Sequence, residues 1–256
     1  MPVTTILLAA GYATRLHPLT QDRPKALLPL GRGVMLDEVI ATLPEVPDLA
    51  KTVLVTNHRF AAQFTAWQRE RQAPVQVVDD GTETADTRLG AIRDLELARQ
   101  SGRAVGDLLV LGTDNLFRWP LARFVAQARR HQPHASVALW QAPSREAATQ
   151  FGVVQQDATG RITQFVEKSP TPPSASVALC VYYFPEPMGG MMRRFISEGG
   201  NTDAPGHFVR WLSEHQPVYG IPMDGAWYDI GTLDAYQAAL REWGDPTRPG
   251  GRSTQR

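Results

Sequence analysis

Short apolar segments that alternate with amphipathic ones constrain the fold of this chain more than any other feature of its sequence. The segments predicted to be strands are apolar almost throughout, and most are followed by a stretch of helical periodicity. In the first 143 residues they are "VTTILLAA", "KTVLVTN", "VQVVDD", "DLLVLGTDN" and "ASVALWQA". Strands that lack a polar face are buried on both sides, as in parallel sheets. The sequence therefore predicts an α/β fold with a Rossmann-like, mostly parallel sheet that has helices on both faces.

The pattern changes after about residue 143, which divides the chain into two halves. The second half begins with two strand-like segments around a glycine-containing turn and ends with a helix for which Thr232 is a plausible N-cap. We expect a single domain over residues 1–243, in which a smaller α+β half (144–243) packs on a parallel half (1–143). Residues 244–256 are rich in Gly, Pro and Arg, and we expect them to form a disordered tail.

The overall charge argues against some classes of function. Lys plus Arg and Asp plus Glu number 26 each, so no global field favours nucleic acid or an anionic membrane surface as a partner. No apolar stretch reaches the roughly 18 residues of a membrane-spanning helix. No basic region precedes the first apolar run, so we expect no signal peptide and a cytoplasmic location. Cys180 is the one cysteine, which excludes an intramolecular disulfide in this sequence.

The loop after the first strand concentrates positive charge in a chain that is neutral overall. Residues 8–29 read "LAAGYATRLHPLTQDRPKALLP", with Arg15, Arg23 and Lys25 against the single acid Asp22. A glycine-containing turn after a strand can direct backbone N–H groups at phosphate oxygens. Neither the P-loop motif nor the G-x-G-x-x-G fingerprint is present. The loop therefore predicts a polyanion site of another kind.

Residues 10–25 carry a family resemblance. The stretch A-G-Y-A-T-R-L-x-P-L-T-x-x-x-P-K resembles the signature of the sugar-1-phosphate nucleotidylyltransferases, the pyrophosphorylases that include glucose-1-phosphate thymidylyltransferase. Glycines are common in the family where this chain has Ala10 and Ala13. Four further segments resemble family motifs in the same order, so that the resemblance extends from Val3 to about Trp243. They are "LGTDNLF", "FGVVQQDATGRITQFVEKSP", "SVALCVYYF" and "WYDIGT".

The resemblance implies a nucleotide-diphospho-sugar transferase type of fold and a reaction between two polyanions. The phosphate of a sugar 1-phosphate attacks the α-phosphorus of a nucleoside triphosphate, and pyrophosphate leaves. The nucleophile is already anionic, so catalysis consists mainly of positioning and charge neutralisation. Such chemistry requires an arginine, a lysine and a magnesium ion rather than a general base.

The resemblance also implies a role for particular residues. Arg15 should grip the β- and γ-phosphates, and Lys25 should hold the α-phosphate and the attacking phosphate together. Asp114 and Asp229 should bind Mg2+, since carboxylates suit this hard ion. Glu167 and Gly152 should contact sugar hydroxyls. The remaining expected contacts are Lys168 and Tyr182 on the sugar phosphate, and Ala10, Gly11, Tyr12, Ala13, Thr14, Leu89 and Gly90 on the nucleotide.

The nucleobase is expected near the acidic loop "DDGTETAD", which follows the third strand. Asp79 or Asp80 would accept hydrogen bonds from a base edge that donates them, such as uracil or thymine N3–H, cytosine N4 or guanine N1 and N2. The loop does not select among these, and dTTP or UTP is favoured. Farther on, Asn201 and Asp203 could contact substrate or cap a helix that starts near Ala204, and capping is favoured.

Other functions remain open at this point. The same fold could transfer a cytidylyl group to a phosphoalcohol or a phosphonate, although "FGVV" and "VEK" favour a sugar. A non-catalytic nucleotide-sugar-binding regulatory subunit should have lost some of Arg15, Lys25, Asp114 and Asp229, and all four are present. Taken alone, Arg15 and Lys25 could each be a solvated surface charge, and Asp114 could cap a helix. A homo-oligomer is expected by analogy alone.

Overall fold

The structure is a computed structural model, and it describes residues 1–243, so that the expected tail of 244–256 lies outside the described residues. Its strands, in chain order, are β1 (Val3–Leu8), β2 (Pro29–Leu30), β3 (Gly33–Val34), β4 (Leu49–Thr56), β5 (Gln76–Asp79), β6 (Asp107–Gly112), β7 (Asn115–Phe117), β8 (Ala135–Gln141), β9 (Gly152–Gln156), β10 (Ile162–Glu167), β11 (Ser176–Phe184), β12 (Val218–Pro222) and β13 (Trp227–Asp229). Its helices are α1 (Met35–Ile40), α2 (His58–Arg71), α3 (Ala91–Gln100), α4 (Leu121–Ala128), α5 (Arg145–Ala148), α6 (Met188–Ser197), α7 (Pro205–His215) and α8 (Leu233–Trp243). Within the described residues, no helix is long and apolar enough to cross a membrane.

The parallel part of the main sheet is built around β1. This strand lies between β4 and β6 and is parallel to both, and β5 continues the parallel part beyond β4. Ile6, in the middle of β1, pairs in register with Val53 and Val110, and all three are fully buried. The apolar character of these strands on both faces is what a sheet covered by helices requires. The predicted mostly parallel α/β fold is confirmed.

The strands of the second half extend the same sheet. β11 runs antiparallel to β6 along one edge and to β8 along the other, and β12 is parallel to β8. β9 and β10 form an antiparallel hairpin, as predicted, which joins β11 where Val153 pairs with Val177. The two halves are therefore continuous through one sheet across residue 143.

Two apolar layers cover the two faces of the sheet. Side chains of α1, α2, α4 and α8 pack with Leu7 of β1 in one layer, whereas those of α3, α6 and α7 pack with Ile6 in the other. Neighbouring residues of β1 thus point to opposite layers, as strand geometry dictates. Removing most of a buried side chain such as Phe208 typically destabilises a fold by about 3–5 kcal/mol, so these layers fix the positions of the strand ends.

The segment "DLLVLGTDN" departs from the continuous strand that the sequence predicts. β6 ends at Gly112, and β7 begins only at Asn115. The Thr113 hydroxyl donates to the Leu8 carbonyl at 2.9 Å, which ties the end of β6 to the end of β1. Asp114 consequently lies in a turn just beyond the carboxyl end of β6. Elsewhere, Thr232 is confirmed as the residue that caps α8, since its Oγ1 accepts a hydrogen bond from the amide of Ala235 at 3.2 Å.

Candidate active site

Two short strands outside the main sheet bring together the two acids predicted to bind metal. β7 and β13 pair antiparallel, with Asn115 opposite Asp229. The Ile230 amide continues this pairing by donating to the Asp114 carbonyl at 3.0 Å. Because β7 follows β6, both acids lie at the carboxyl end of the parallel strands, where ligands bind in open α/β sheets.

The side chain of Lys25 reaches the same place from the first loop. Its Nζ donates to Asp114 Oδ2 at 2.6 Å and to the Ile230 carbonyl at 2.8 Å. The side chains of Lys25 and Asp114 are 19% and 31% exposed, so this ion pair is partly shielded from water. Short charge-assisted hydrogen bonds of this kind are stronger than neutral ones. We call Lys25, Asp114 and Asp229 the strand-end site.

The two carboxyls of this site differ in their pKa. Burial disfavours ionised Asp114, but the adjoining Lys25 ammonium outweighs burial and holds the pKa of Asp114 below its usual range. Burial, followed by the negative charge of Asp114, raises the pKa of Asp229 to about 6. Attraction by Lys25, Lys168 and Arg15 opposes that rise. Arg15 and Lys168 are thus close enough to act on Asp229 although both are exposed.

The donor set of the strand-end site fits a magnesium ion. Mg2+ prefers oxygen ligands and is often bound by one or two carboxylates together with substrate phosphates and water. Asp114 and Asp229 supply such carboxylates, and a divalent cation would relieve the repulsion that raises the pKa of Asp229. Residues 1–243 contain no group of three or more His, Cys, Asp or Glu side chains that could hold a metal by themselves.

Two residues that the sequence did not single out hold Asp114 in place. Trp227 Nε1 donates to Asn115 Oδ1 at 2.9 Å, and Asn115 Nδ2 donates to Asp114 Oδ1 at 3.0 Å. The indole of Trp227 packs edge-on against Phe151 at 5.2 Å between ring centroids, so this chain of hydrogen bonds is anchored in apolar contacts. The available signal was their position, each within two residues of a predicted metal ligand in "TDNLF" and "WYDIGT".

The first loop, which follows β1, contains a tight turn at Ala13. Ala13, where glycine is common in the family signature, has a left-handed backbone with φ +48° and ψ +39°. Its carbonyl accepts a hydrogen bond from Thr20 Oγ1 at 2.8 Å, which closes the loop. The Ala10 carbonyl accepts one from Asn57 Nδ2 at 3.0 Å. A left-handed conformation costs a residue with a β-carbon about 1–2 kcal/mol, so the tertiary contacts hold Ala13 in a strained state.

Other residues of this loop differ in their exposure. Gly11, Thr14 and Arg15 face solvent, whereas Tyr12 is buried and its hydroxyl lies 3.3 Å from Thr82 Oγ1. No hydrogen bond to the Arg15 guanidinium occurs in the described part of the chain. Arg15 is therefore a cation near the strand-end site that is available to an anionic ligand.

The two acids predicted to meet the nucleobase are already engaged, Asp79 with His58 of α2 and both with groups of their own loop. Asp79 Oδ2 pairs with His58 Nδ1 at 2.7 Å, and Asp79 Oδ1 accepts from the Gly81 amide at 2.8 Å. Asp80 Oδ1 accepts from both the amide and the hydroxyl of Thr82, each at 2.7 Å. Asp80 Oδ2 is buried and has no partner among the described residues. A base contact by either carboxylate stays a prediction.

Leu89 and Gly90 lie directly before α3. Gly90 has φ +86° and is the residue that precedes the helix. The Leu89 carbonyl accepts a hydrogen bond from Thr202 Oγ1 at 3.0 Å, so this end of the loop contacts the second half of the chain. We call residues 79–90 the base loop.

The residues predicted to contact the sugar form a slot at the end of the β9–β10 hairpin. Glu167 pairs with Gly152 in that hairpin. A β-carbon at Gly152 would lie 2.9 Å from Glu167 Oε2, and one at Gly206 would lie 3.1 Å from the same atom. No hydrogen bond to the Glu167 carboxylate occurs within residues 1–243. Lys168 follows with a left-handed backbone at φ +46°. Gly206 is a further residue that sequence reasoning missed.

Tyr182 is the exception among the predicted sugar contacts. Its ring is 4% exposed and stacks on Phe184 at 5.8 Å between centroids, in the apolar layer under α7. Burial raises the pKa of its hydroxyl well above the usual value. The structure therefore places Tyr182 in the core, because its position on β11 points to the side that α7 covers. Asp203 likewise does not cap α7, whose first turn begins at Ala204 without a side-chain cap.

Comparison with known proteins gives one family. A family model described as nucleotidyl transferase matches residues 4–245. The glucose-1-phosphate adenylyltransferase of Corynebacterium aurimucosum is 26% identical over 93% of this chain and 66% of its own length. The corresponding enzyme of Rhodopirellula baltica is 26% identical over 92% of this chain and 58% of its own length. The mannose-1-phosphate guanylyltransferase catalytic subunit beta of Drosophila pseudoobscura pseudoobscura is 25% identical over 96% of this chain and 66% of its own length.

This chain thus spans 58 to 66% of the length of these curated relatives. Among solved structures, a Bacillus anthracis protein described as a glucose-1-phosphate thymidylyltransferase, in complex with a sucrose, superimposes with a TM-score of 0.80. The superposition covers 97% of this chain and 98% of that chain at 20% sequence identity. At that identity the likeness establishes the fold.

Proposed function

The chain belongs to the nucleotidyl transferase family, and on that premise we propose that it transfers a nucleotidyl group from a nucleoside triphosphate to a sugar 1-phosphate. The products would be a nucleoside diphosphate sugar and pyrophosphate. One observation carries the proposal: Lys25, Asp114 and Asp229 converge at the carboxyl end of the parallel strands, with Lys25 Nζ 2.6 Å from Asp114. The exposed guanidinium of Arg15, which has no hydrogen-bond partner within residues 1–243, acts on the same place.

The reaction needs charge neutralisation more than proton transfer. An oxygen of the sugar phosphate forms a new bond to the α-phosphorus, and the bond between the α-phosphorus and the bridging oxygen breaks. The electron pair leaves with pyrophosphate, and no proton has to move at neutral pH. Preorganised cations are therefore the main contribution that side chains can make.

Each cation of the site has a distinct position in this scheme. Lys25 is fixed by Asp114 and the Ile230 carbonyl, so its ammonium can sit between the α-phosphate and the attacking phosphate. Arg15, in the exposed turn after Ala13, can hold the β- and γ-phosphates and then the leaving pyrophosphate. Asp114 and Asp229 would hold Mg2+, which would supply Lewis-acid stabilisation of phosphate charge.

We assign the phosphate acceptor to the second half of the chain. The Glu167 carboxylate lies between Gly152 and Gly206, and within residues 1–243 its hydrogen-bonding capacity is free for hydroxyls. A carboxylate accepts hydrogen bonds, and a sugar offers several hydroxyl donors to it. Lys168 adds a positive charge near Asp229. On this proposal residues 1–243 act as one domain, with the nucleotide on the first half and the acceptor on the second.

The identity of the nucleobase is a finer proposal than the type of reaction. We retain dTTP or UTP as the favoured donor, supported by the fold neighbour described as a thymidylyltransferase. The curated relatives are described as adenylyltransferases and a guanylyltransferase instead. We also propose a magnesium cofactor, a cytoplasmic location where nucleoside triphosphates are abundant, and a homo-oligomeric state by family analogy.

A panel of substrates tests the proposal. Purified protein with Mg2+ is mixed with each of ATP, GTP, CTP, UTP and dTTP and with a hexose 1-phosphate, and pyrophosphate release is measured. We expect release with at least one pair and none without the acceptor. Asp114→Asn serves as the control for contaminating enzymes, since it should be slower by about 10²–10³-fold.

Phosphocholine and a phosphonate are included as acceptors. Release with CTP and one of these, but with no sugar phosphate, would support the cytidylyltransferase alternative. If protein that is folded and binds nucleotide released no pyrophosphate with any pair, the non-catalytic regulatory subunit would be the favoured alternative.

A further inference from the structure

A short segment between α6 and α7 contacts the base loop across the site. In this segment, residues 201–203, the Thr202 hydroxyl donates to the Leu89 carbonyl at 3.0 Å. The first amides of α3 donate back, from Ile92 to the Thr202 carbonyl at 3.0 Å and from Ala91 to the Asp203 carbonyl at 3.4 Å. We call residues 201–203 the strap. It supplies the acceptors that the first turn of α3 would otherwise lack.

The approach of the strap to the base loop is close enough to require glycine. A β-carbon at Gly90 would lie 2.5 Å from the Thr202 carbonyl oxygen and 2.7 Å from its carbon. Gly90 also has φ +86°, which strains any residue with a β-carbon. Two independent features of the backbone thus fix the place where the strap meets the loop.

An ion pair reinforces this contact. Arg88 Nε donates to Asp203 Oδ1 at 2.6 Å, while Arg88 Nη1 donates to the Ala85 carbonyl at 2.7 Å. Within the strap, the backbone amide of Asp203 donates to Asn201 Oδ1 at 3.0 Å, which helps to orient Asp203. Arg88 therefore adds a side-chain link between the strap and the end of the base loop that precedes α3.

The other end of the base loop is fixed independently of the strap. The Tyr12 hydroxyl lies 3.3 Å from Thr82 Oγ1, and the Thr82 carbonyl accepts the amide of His58 at 2.8 Å. Between Thr82 and Arg88 the loop is exposed for most of its length. Its conformation is thus defined at one end by attachments to Tyr12 of the first loop and to His58 of α2, and at the other end by the strap.

The strap also continues into the acceptor side of the site. It leads directly into α7, whose Gly206 lies against the Glu167 carboxylate. The hydrogen-bonded guanidinium of Arg88 holds the pKa of Asp203 below its usual range, and the charges of His207 and Lys168 add to this effect. Asp203 thus lies between the base loop and the predicted phosphate contact Lys168.

We propose that Asp203 is a positioning residue that acts through Arg88 to hold the base loop in its nucleotide-binding conformation. This inference rests on the proposed function, because the base loop is where the nucleoside is expected. Loss of the Asp203 carboxylate frees Arg88 and loosens residues 85–90, so the unbound protein must order the loop when nucleotide binds. The affinity for the triphosphate falls, whereas the strand-end site and its chemistry are unchanged.

Steady-state kinetics of Asp203→Ala, Arg88→Ala and the double variant provide the test, with the substrate pair that the panel identifies. We expect each single variant to raise KM for the triphosphate about tenfold and to change kcat less than threefold. The double variant should be no worse than either single one, because both remove one interaction. Asp203→Glu, which keeps the charge, should recover most of the affinity.

Glu198→Ala is the matched control. Glu198 pairs with Arg194 at 2.7 Å on α6, at a similar exposure to the Asp203 pair but outside the strap. Equal effects of Asp203→Ala and Glu198→Ala on KM, or additive effects of the two strap variants, overturn the proposal. So does a change confined to kcat.

Hydrogen exchange separates this inference from the proposed function. If the wild type transfers no nucleotidyl group, the proposed function fails. The strap is then tested by the hydrogen exchange of the α3 amides that donate to it. Exchange at Ala91 and Ile92 should be faster in Asp203→Ala than in the wild type and unchanged in Glu198→Ala. Unchanged exchange in both variants overturns the strap as a device that holds the loop.

Discussion

The strand-end site and the base loop face the same proposed ligand, but they use their charges differently. Lys25, Asp114 and Asp229 come from three distant segments and meet only because the strands end together. Asp79 and Asp80 instead hydrogen-bond to His58 and to amides within two residues of themselves. The charges assembled by the sheet are paired with one another across distant segments, as Lys25 is with Asp114. Charges in a loop are first used to shape the loop.

The variant with the largest expected effect tests the strand-end site directly. Lys25→Gln removes the cation of the strand-end site while keeping a polar side chain of similar reach. We expect kcat to fall about 10²–10³-fold, because a preorganised charge at the reacting phosphates is lost. Initial rates of pyrophosphate release at saturating substrates measure this effect.

Asp79→Asn in the base loop is the counterpart, and Arg23→Ala in the first loop is the control. Arg23 is exposed in the same loop as Lys25 but has no part in the site. We expect a change in kcat below about fivefold for both variants. If Asp79→Asn reduced kcat as much as Lys25→Gln, the distinction between the two regions would be wrong.

A second prediction concerns a buried acid near the base loop. Asp94 of α3 is 4% exposed, and its Oδ1 has no partner among the described residues. Burial, together with the charge of Asp80, raises the pKa of Asp94 from 3.8 to about 8. The folded state then holds a proton that the unfolded state has lost, so wild-type stability falls as pH rises from about 4 to about 8.

Asp94→Asn should remove this pH dependence. We expect the free energy of unfolding of the variant, relative to the wild type, to increase by about 1–3 kcal/mol between pH 5 and pH 7. Urea unfolding at several pH values measures it. Asp86→Asn, an exposed acid of the base loop, is the control and should follow the wild-type profile within a few tenths of a kcal/mol. Parallel profiles for Asp94→Asn and the wild type would contradict the prediction.

The sequence predicted the strand-end site better than its surroundings. Lys25, Asp114 and Asp229 belong to motifs beside strand ends, and apolar strands can be recognised from composition alone. Asn115 and Trp227 could not be assigned, because the hydrogen bonds between them depend on the pairing of β7 with β13, which no local pattern encodes.

The same limit applies to two other residues. The contact of Tyr182 with the acceptor stays a prediction, and its burial under α7 could not be foreseen, because which side of β11 a residue faces depends on where α7 packs. Asp203 was expected to cap α7, but it pairs with Arg88, a residue more than 100 positions earlier in the chain. Contacts across such distances follow from tertiary packing rather than from propensity.

A third prediction tests the support of Asp114. Trp227→Phe keeps an aromatic ring against Phe151 but removes the Nε1–H that orients Asn115. We expect kcat to fall about tenfold, which corresponds to about 1.4 kcal/mol, since a misplaced carboxylate positions its ligands poorly. Trp67→Phe is the matched control, because Nε1 of Trp67, on α2, donates to Asp37 Oδ1 at the same distance of 2.9 Å. Equal losses of activity in the two variants would show that Trp227 acts only through stability.

The smallest expected effect concerns the backbone of the first loop. Gly90 of the base loop is left-handed at no steric cost, whereas the first loop places Ala13 at φ +48°. Ala13→Gly should relieve strain of about 1–2 kcal/mol, partly offset by the greater entropy of an unfolded glycine. We expect a gain of about 0.5 kcal/mol in the free energy of unfolding and a kcat within twofold of the wild type.

Ala158→Gly is the control, at an exposed turn residue without positive φ, and its free energy of unfolding should fall by a similar amount in the same urea titration. A loss of stability in Ala13→Gly would mean that the loop is held by the Ala13 side chain, and the first loop would then resemble the base loop in being shaped by its own local contacts.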